Sequence, residues 1–239
     1  MGETMNSIWQ IDLFTGLENA VDMQDVLDVT LKIVKPMGFD YVGWRTELPL
    51  PMTQKKTLAL NTAEDSVTEK VSNGYYDNAP IPYHCSRSMD PIYCLGTTHE
   101  DIFLKAPEMW EEYYSLGRFG IWAQSLVESK SMFSMFWTDT TAPISQEDID
   151  NVGLKLEWIS TAVLSKMNQV RQKSHITLSE REKEILRWSG DGKTAEQIGL
   201  ILKLSHSTVN FHLRNAMHKL DAPNKTTAVV KAIYLGLLH

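Results

Sequence analysis

The amino-acid sequence predicts an α+β protein with an N-terminal α-β-α sandwich domain and a C-terminal domain of four helices. Strand patterns lie in the middle of residues 1–168 and helix patterns flank them, which is typical of a sheet covered on both faces. Residues 176–239 contain helix patterns only, and each begins with a capping signal. The polar residues 169–175 are interpreted as a linker, and 239 residues suit two ordinary domains.

The elements of the N-terminal domain follow from hydrophobic periodicity and turn residues. One helix pattern ends at Pro36 and Gly38, a second ends at Gly74, and Ser145 with Asp148 resembles a capping box at the start of a third. Residues 75–96 lack periodicity and are interpreted as a long irregular segment, which in a compact domain is usually functional or mobile. The predicted helices are "MQDVLDVTLKIV", "AEDSVTEKVSNG", "APEMWEEYYSLG" and "SQEDIDNVGLKLEWISTAVLSKMNQVRQ"; the predicted strands are "DYVGWRTEL", "KKTLALNT", "IWAQSLVES" and "SMFSMFWTD".

Composition narrows the class of protein. No apolar run approaches the roughly 18 residues that span a bilayer, and the N-terminus lacks the basic and apolar regions of an export signal, so we expect a cytoplasmic protein without a membrane segment. Cys85 and Cys94 are the two cysteines of the chain. They are interpreted as reduced thiols, and we expect no metal site and no cofactor.

Two alternative functions find little support in the motifs. The chain lacks the G-x-S-x-G, H-E-x-x-H and P-loop patterns, and His84 beside Cys85 has no evident orienting acid, so we expect no enzyme activity. A response regulator controlled by phosphorylation would need an acidic cluster after its first strand. Prolines follow that strand instead.

Positive charge is concentrated in the C-terminal domain. Residues 176–239 carry nine Lys or Arg and six Asp or Glu, a net charge of +3, while residues 1–175 carry −10. This asymmetry favours a nucleic-acid partner. The capping signals are Ser179 with Glu182, Thr194 with Gln197, Ser205 and Asn224, and Gly192 supplies a left-handed stop.

The second and third helices of this domain are separated by about three residues, "KLS", which is the spacing of a helix-turn-helix. An apolar stripe on the third helix leaves a polar ridge of Ser207, Asn210 and Arg214 on its opposite side. Asn can pair with adenine and Arg with guanine in the major groove, so the ridge predicts binding to double-stranded DNA. The stripe is Val209, Leu213, Ala216 and Leu220; the further predicted DNA contacts, chiefly to phosphates, are Lys193, Thr194, Thr208, His212 and Lys219.

The segment from residue 176 to 239 resembles the DNA-binding domain of the LuxR family of bacterial transcription regulators. Glu182, Leu186 and Gly192 match the three positions most typical of that family, and "GKT", "STVNFH" and "APNKT" match its quorum-sensing members. The final helix, "TTAVVKAIYLGLL", is apolar almost all round, which indicates a partner surface around Val230 and Tyr234 or cover by the N-terminal domain. The resemblance implies a homodimer on a palindromic operator.

The N-terminal domain resembles the autoinducer-binding domain of the same quorum-sensing branch, in which an acyl-homoserine lactone lies between the sheet and one helix layer. Four family positions differ here: Thr62 stands for a Tyr, Ser66 and Cys94 for Trp residues, and Ala79 for the Asp that accepts the amide of the ligand. The predicted pocket comprises these four and Trp44, Tyr75, Asp77, Trp110, Trp122 and Phe136.

Three interpretations of this sensor domain remain open. The departures favour a small apolar signal ligand other than a lactone. A regulator without a ligand is the second interpretation. The third is a lactone receptor that uses another acceptor, such as Asp77.

Overall fold

The computed structural model describes residues 3–48, 56–63, 65–129, 132–172 and 176–238. The chain separates into two compact units, Met1–Val170 and Arg171–His239. Residues 169–172 of the predicted linker are helical, and residues 173–175 lie outside the described part of the chain. The domain limits drawn from the sequence therefore stay a prediction.

The first unit is an antiparallel sheet of five strands with helices on both faces, which confirms the predicted sandwich. The strand order is β2-β1-β5-β4-β3. The strands are β1 Tyr41–Leu48, β2 Lys56–Asn61, β3 Ile92–Cys94, β4 Ile121–Ser129 and β5 Met132–Asp139. The helices are α1 Glu3–Asn19, α2 Met23–Val34, α3 Asp65–Ser72, α4 Pro80–Cys85, α5 Asp101–Leu104, α6 Pro107–Ser115 and α7 Gln146–Gln172.

The two faces of the sheet support separate apolar cores. Successive strand residues point to opposite faces, so Trp44, Trp122 and Phe136 pack against residues of α1, α2 and α7. Their neighbours Met135 and Trp137 pack on the other face with residues of α3, α4 and α6. Both faces are apolar because helices cover both of them.

Four elements of the first unit differ from the sequence prediction. The segment from 75 to 96, predicted to be irregular, contains α4 and β3. Two prolines at the start of α4 and the three-residue length of β3 hide both elements from a periodicity search. The helix α1 was not predicted, since it buries Leu13 and Leu17 but also exposes Ile11 and Phe14, which blurs its periodicity. The helix α5 was not predicted because it has only one turn.

The second unit contains four helices: α8 Glu180–Gly190, α9 Ala195–Leu202, α10 His206–Lys219 and α11 Lys225–Tyr234. All four predicted caps are confirmed, because the Ser179, Thr194, Ser205 and Asn224 side chains each accept a backbone amide hydrogen bond. Gly192 follows α8 with φ +80°. The caps therefore fix where each helix starts.

Candidate functional site

The turn between α9 and α10 consists of three residues, as predicted for a helix-turn-helix. Lys203 is left-handed, with φ +56°, and the Leu204 amide donates to the Gly199 carbonyl oxygen at 2.8 Å. A Cβ added at Gly199 would lie 2.7 Å from the Leu204 carbonyl oxygen. The absence of a side chain at Gly199 therefore lets the turn close on α9, a requirement that the capping pattern does not reveal.

The outward face of α10 carries the predicted ridge. Val209 and Ala216 are fully buried, whereas Ser207 and Arg214 are exposed and Asn210 is half-buried. The Asn210 amide nitrogen contacts the His206 ring, with nitrogens 3.1 Å apart, and Arg214 Nε donates to the Asn210 carbonyl oxygen at 3.3 Å. Asn210 and Arg214 are thus aligned along one side of the helix, with the Arg214 guanidinium open to solvent.

The residues predicted to contact phosphate lie at the start of α9 and along α10, and one of them, Lys219, also has a partner within the protein. Lys219 Nζ lies 2.8 Å from Glu182 Oε2, so this lysine joins α10 to α8. The Glu182 side chain is only 4% exposed, and a buried carboxylate requires such a partner. The structure thus gives Lys219 an internal structural contact. Lys193, Thr208 and His212 are half-buried, and Thr194 is exposed at the start of α9.

The helix α11 has one face in the core and a second face outside it. Ala228 and Ala232 are fully buried, Val230 is half-buried, and Ile233 is 62% exposed. The Arg171 guanidinium lies 4.8 Å from the centre of the Tyr234 ring. The apolar side chain of Ile233 is thus exposed, one turn after Val230 on the same side of the helix.

A cavity of about 80 Å³ lies on the face of the sheet that α3, α4 and α6 cover. Its wall is largely apolar and aromatic, and two buried arginines, Arg45 of β1 and Arg118 before β4, contribute to it. Small-molecule sites typically combine such an apolar wall with few polar groups. The lining residues are Arg45, Val67, Val71, Tyr76, Ala79, Pro80, Ile81, Pro82, Met109, Trp110, Tyr113, Arg118, Ile121, Met135 and Trp137.

Two of the ten predicted pocket residues, Ala79 and Trp110, line this cavity. Trp44, Trp122 and Phe136 do not, because they point to the opposite face of the sheet. Their strand neighbours Arg45, Ile121 and Trp137 line the cavity instead. The sequence analysis did not predict these three residues as part of the pocket. The alternation of the strands was visible in the sequence, but both sets of side chains are apolar, so it did not show which set faces the cavity.

The other predicted pocket residues lie around the cavity without lining it. Ser66 is exposed, and Tyr75 is half exposed with its hydroxyl 2.6 Å from Glu112 Oε2. Thr62 Oγ1 accepts the Val42 amide at 3.0 Å at the end of β2. These contacts are structural and leave none of the three facing the cavity.

The two cysteines are free and fully buried. Burial raises the pKa of the Cys85 thiol and of the Cys94 thiol to about 12. Both side chains belong to the core beside the cavity without lining it. Within the described residues, no group of three or more His, Cys, Asp or Glu is arranged to hold a metal.

Arg45 is one of the two buried arginines of the cavity. It is 2% exposed, and its Nη2 donates to Asp77 Oδ1 at 2.6 Å and to Thr57 Oγ1 at 3.2 Å. Asp77, predicted as a substitute ligand acceptor, therefore already holds the arginine. Arg45 Nε and Nη1 have no hydrogen-bond partner among the described residues.

A buried polar network lies next to the cavity. Arg118 Nη1 donates to Asp139 Oδ2 at 2.7 Å, and the Tyr113 hydroxyl donates to the same oxygen. The Arg118 guanidinium also lies 4.7 Å from the centre of the Tyr41 ring. Burial raises the pKa of Tyr113 well above its ordinary value, so its hydroxyl stays a donor to Asp139. The network fixes two cavity residues, Arg118 and Tyr113.

Trp137 forms part of the cavity wall because Gly43 leaves space for it. Gly43 and Trp137 are paired across β1 and β5. A Cβ at position 43 would lie 2.1 Å from Trp137 Cζ2, a distance that no side chain tolerates. The indole therefore lies over the bare backbone of β1.

Comparison with known proteins shows which class of protein this chain resembles. Residues 176–232 match the family "Bacterial regulatory proteins, luxR family". The transcriptional activator protein AnoR of Acinetobacter nosocomialis is 28% identical over 239 aligned residues, covering 96% of this chain and 99% of AnoR. Residues 176–232 are therefore a LuxR-family DNA-binding domain, and the chain as a whole is similar to transcriptional regulators of the LuxR quorum-sensing type, in which an autoinducer-binding-like domain precedes a helix-turn-helix domain.

Solved structures show the same fold over both domains. A crystal structure of Escherichia coli SdiA matches with a TM-score of 0.73 and 24% identity, covering 97% of this chain and 98% of SdiA. SdiA in complex with octanoyl-rac-glycerol matches with a TM-score of 0.74 and 23% identity, covering 98% and 97%. Among the described residues, no helix has both the length and the apolar character to cross a membrane.

Proposed function

We propose that this regulator reads operator DNA with α10 and that a small molecule in the cavity of the first unit controls it. The observation that carries the DNA proposal is the orientation of α10, which buries Val209 and Ala216 and exposes Ser207 and Arg214. In this geometry Arg214 contacts guanine, Asn210 contacts adenine and Ser207 contacts a neighbouring base edge.

The phosphate contacts of this proposal come from the residues around the ridge. Lys193 and Thr194 lie at the start of α9, and Thr208 and His212 lie on α10. Phosphate contacts supply most of the affinity and its salt dependence, and they place the helix in the groove. Lys219 has a smaller part, because Glu182 already pairs with its charge.

The regulator is proposed to act as a homodimer on a palindromic operator. The exposed Ile233 and the half-buried Val230 and Tyr234 support a contact between two copies of α11. A twofold dimer places its two recognition helices about one turn of DNA apart, so each half-site is read once.

The cavity is proposed to bind a small, largely apolar signal, with no cofactor and no catalysis. Its aromatic wall supports this, and the related SdiA was solved with octanoyl-rac-glycerol. Ala79 offers no acceptor where the family pattern has Asp, so binding of acyl-homoserine lactones in the usual way is not expected. A regulator of this kind works in the cytoplasm, where its DNA is.

The test of the DNA proposal is selection of binding sequences from random duplexes by the full-length protein, followed by affinity measurements. Arg214→Ala should weaken binding to the selected site by about 1–3 kcal/mol and relax the preference at one base position. Arg181→Ala is the matched control, since Arg181 lies on α8 and pairs with Glu184 at the surface. Equal effects of the two changes at several salt concentrations would show that α10 does not read the bases.

A further inference from the structure

The cavity contains hydrogen-bond donors that the protein itself does not satisfy. Arg45 Nε and Nη1 and Arg118 Nη2 are buried and have no partner among the described residues, and both arginines line the cavity. Each side chain is 2–3% exposed. An arginine has donors only and keeps its charge at any physiological pH.

Each of these arginines is paired with one carboxylate, which binds a single nitrogen of the guanidinium group. Asp77 binds Arg45 through Nη2 alone, and its side chain is 36% exposed, so water screens this pair. Asp139 is fully buried. Its Oδ2 accepts a hydrogen bond from Arg118 and another from the Tyr113 hydroxyl. A buried donor of a charged group without an acceptor is costly, and an incoming acceptor would remove that cost.

These free groups do not serve the one donor of a lactone signal. An acyl-homoserine lactone presents an amide N–H that needs an acceptor, and Ala79 provides none; its carbonyl oxygens accept hydrogen bonds but carry no negative charge. Arg45 and Arg118 offer donors and positive charge, which are complementary to a ligand with negatively charged oxygens. Charge-assisted hydrogen bonds from guanidinium to carboxylate are among the stronger polar contacts in proteins.

The remaining wall defines the body of the ligand. Trp110, Trp137, Tyr76 and Met135 form an apolar, largely aromatic surface. A volume of about 80 Å³ is smaller than the roughly 150 Å³ cavity that binds a benzene ring. A short chain therefore fits this wall better than an aromatic ring or the tail of a typical lipid-like signal.

We propose that the cavity binds a small monocarboxylate, with a short chain as its body, and that the Arg45 guanidinium holds the carboxylate. The Arg118 Nη2 group is the second donor available to it. This inference rests on the proposed role of the cavity as the signal site and names the chemical class of the signal.

The test compares charged ligands with uncharged ligands of the same shape. Butyrate, isobutyrate, pentanoate and isovalerate, each with its primary amide, are titrated into the full-length protein by calorimetry and thermal unfolding. At least one carboxylate should bind at least tenfold more tightly than its amide and raise the melting temperature in a saturable way. If every amide equals its acid, or if no acid binds up to millimolar concentration, the inference is wrong.

Variants test whether Arg45 causes the preference for a carboxylate over its amide. Arg45→Gln should remove the preference for the acid, whereas Arg87→Gln, which removes an exposed arginine of the same unit, should leave it unchanged. Asp77→Asn keeps the arginine and removes its partner, so it should tighten carboxylate binding several-fold even if Arg45→Gln does not fold. Weaker or unchanged binding by Asp77→Asn would contradict the assignment.

DNA affinity in the same samples separates the two proposals. If no carboxylate binds but Arg214→Ala still loses specific DNA binding, the inference about the ligand fails alone. If an uncharged molecule fills the cavity and changes DNA affinity, the signal site stands and the carboxylate class is wrong.

Discussion

Lys219 Nζ lies 2.8 Å from Glu182 Oε2, and the Ser179 amide donates to the same oxygen at 2.7 Å. The carboxylate of Glu182 thus completes the capping box of α8 and also connects α8 to the last turn of α10. Burial raises the pKa of Glu182, but the hydrogen bonds from Lys219 and Ser179 outweigh it, and the net pKa is lowered. A lowered pKa means that the folded protein favours the charged carboxylate.

The first prediction concerns this carboxylate and pH. Glu182 contributes stability above its unfolded-state pKa, and the contribution is lost as the pH falls through the lower folded-state pKa. Glu182→Gln should therefore be less stable than the parent by about 1 kcal/mol at neutral pH. The difference should disappear in acid, which calorimetric unfolding at a series of pH values measures. Glu184→Gln is the control, because its surface pair with Arg181 contributes little; a difference that persists in acid would contradict the role of the charge.

The second prediction concerns phosphate contact. Lys193→Ala should weaken binding to selected and unrelated duplexes alike and reduce the slope of log affinity against log salt by about 1, because one fewer counterion is released. Fluorescence anisotropy on both duplexes at several salt concentrations measures this. The control is Lys166→Met in α7 of the other unit. Lys203→Met would be a poor control, because Lys203 occupies the αL position of the turn. An unchanged slope for Lys193→Ala would exclude a phosphate contact.

The third prediction concerns the turn at Gly199. Gly199→Ala places a methyl group 2.7 Å from the Leu204 carbonyl oxygen, and the turn must shift to relieve the clash. We expect a loss of about 1–3 kcal/mol in stability together with weaker DNA binding. Gly153→Ala is the control: its Cβ meets nothing within 4 Å, so inside α7 the change should stabilise the protein by about 0.5–1 kcal/mol. If both variants are stabilised, the turn does not depend on Gly199.

The fourth prediction concerns self-association through α11. Val230→Glu introduces a charge beside the exposed Ile233 and should shift the protein from dimer to monomer and lower its operator affinity. Sedimentation velocity measures the first effect. Thr177→Glu adds the same charge at an exposed position before α8 in the same unit, and this variant should stay dimeric. A dimeric Val230→Glu protein with normal affinity would exclude this contact surface.

The helix-turn-helix was predictable because its determinants are local. Ser179, Thr194, Ser205 and Asn224 each cap a helix within three residues of sequence, so the caps fix the boundaries independently of packing. The contact of Lys219 with Glu182 was not predictable, because the two residues meet only after α8 and α10 pack together.

The cavity was harder to predict because its walls come from six separate elements. The strand β1 shows why: Trp44 and Arg45 are adjacent, and only the arrangement of the helices decides that the arginine faces the cavity. A buried arginine in a strand otherwise rich in apolar residues was the signal that sequence reasoning passed over. The segment containing α4 was expected to be functional or mobile, and its Ala79 does line the cavity, although the segment is helical over Pro80–Cys85.

The burial of Cys85 and Cys94 has a practical consequence for experiments on this regulator. A thiol whose pKa is about 12 is ionised in only about one molecule in 10⁵ at neutral pH, and the thiolate is the form that reacts with maleimides and iodoacetamides. A new cysteine at an exposed position, such as Ser207→Cys on α10 or Ser66→Cys on α3, should therefore accept a fluorophore or spin label while both native cysteines stay unmodified. Distances and motions in the wild-type background then become measurable without a cysteine-free variant.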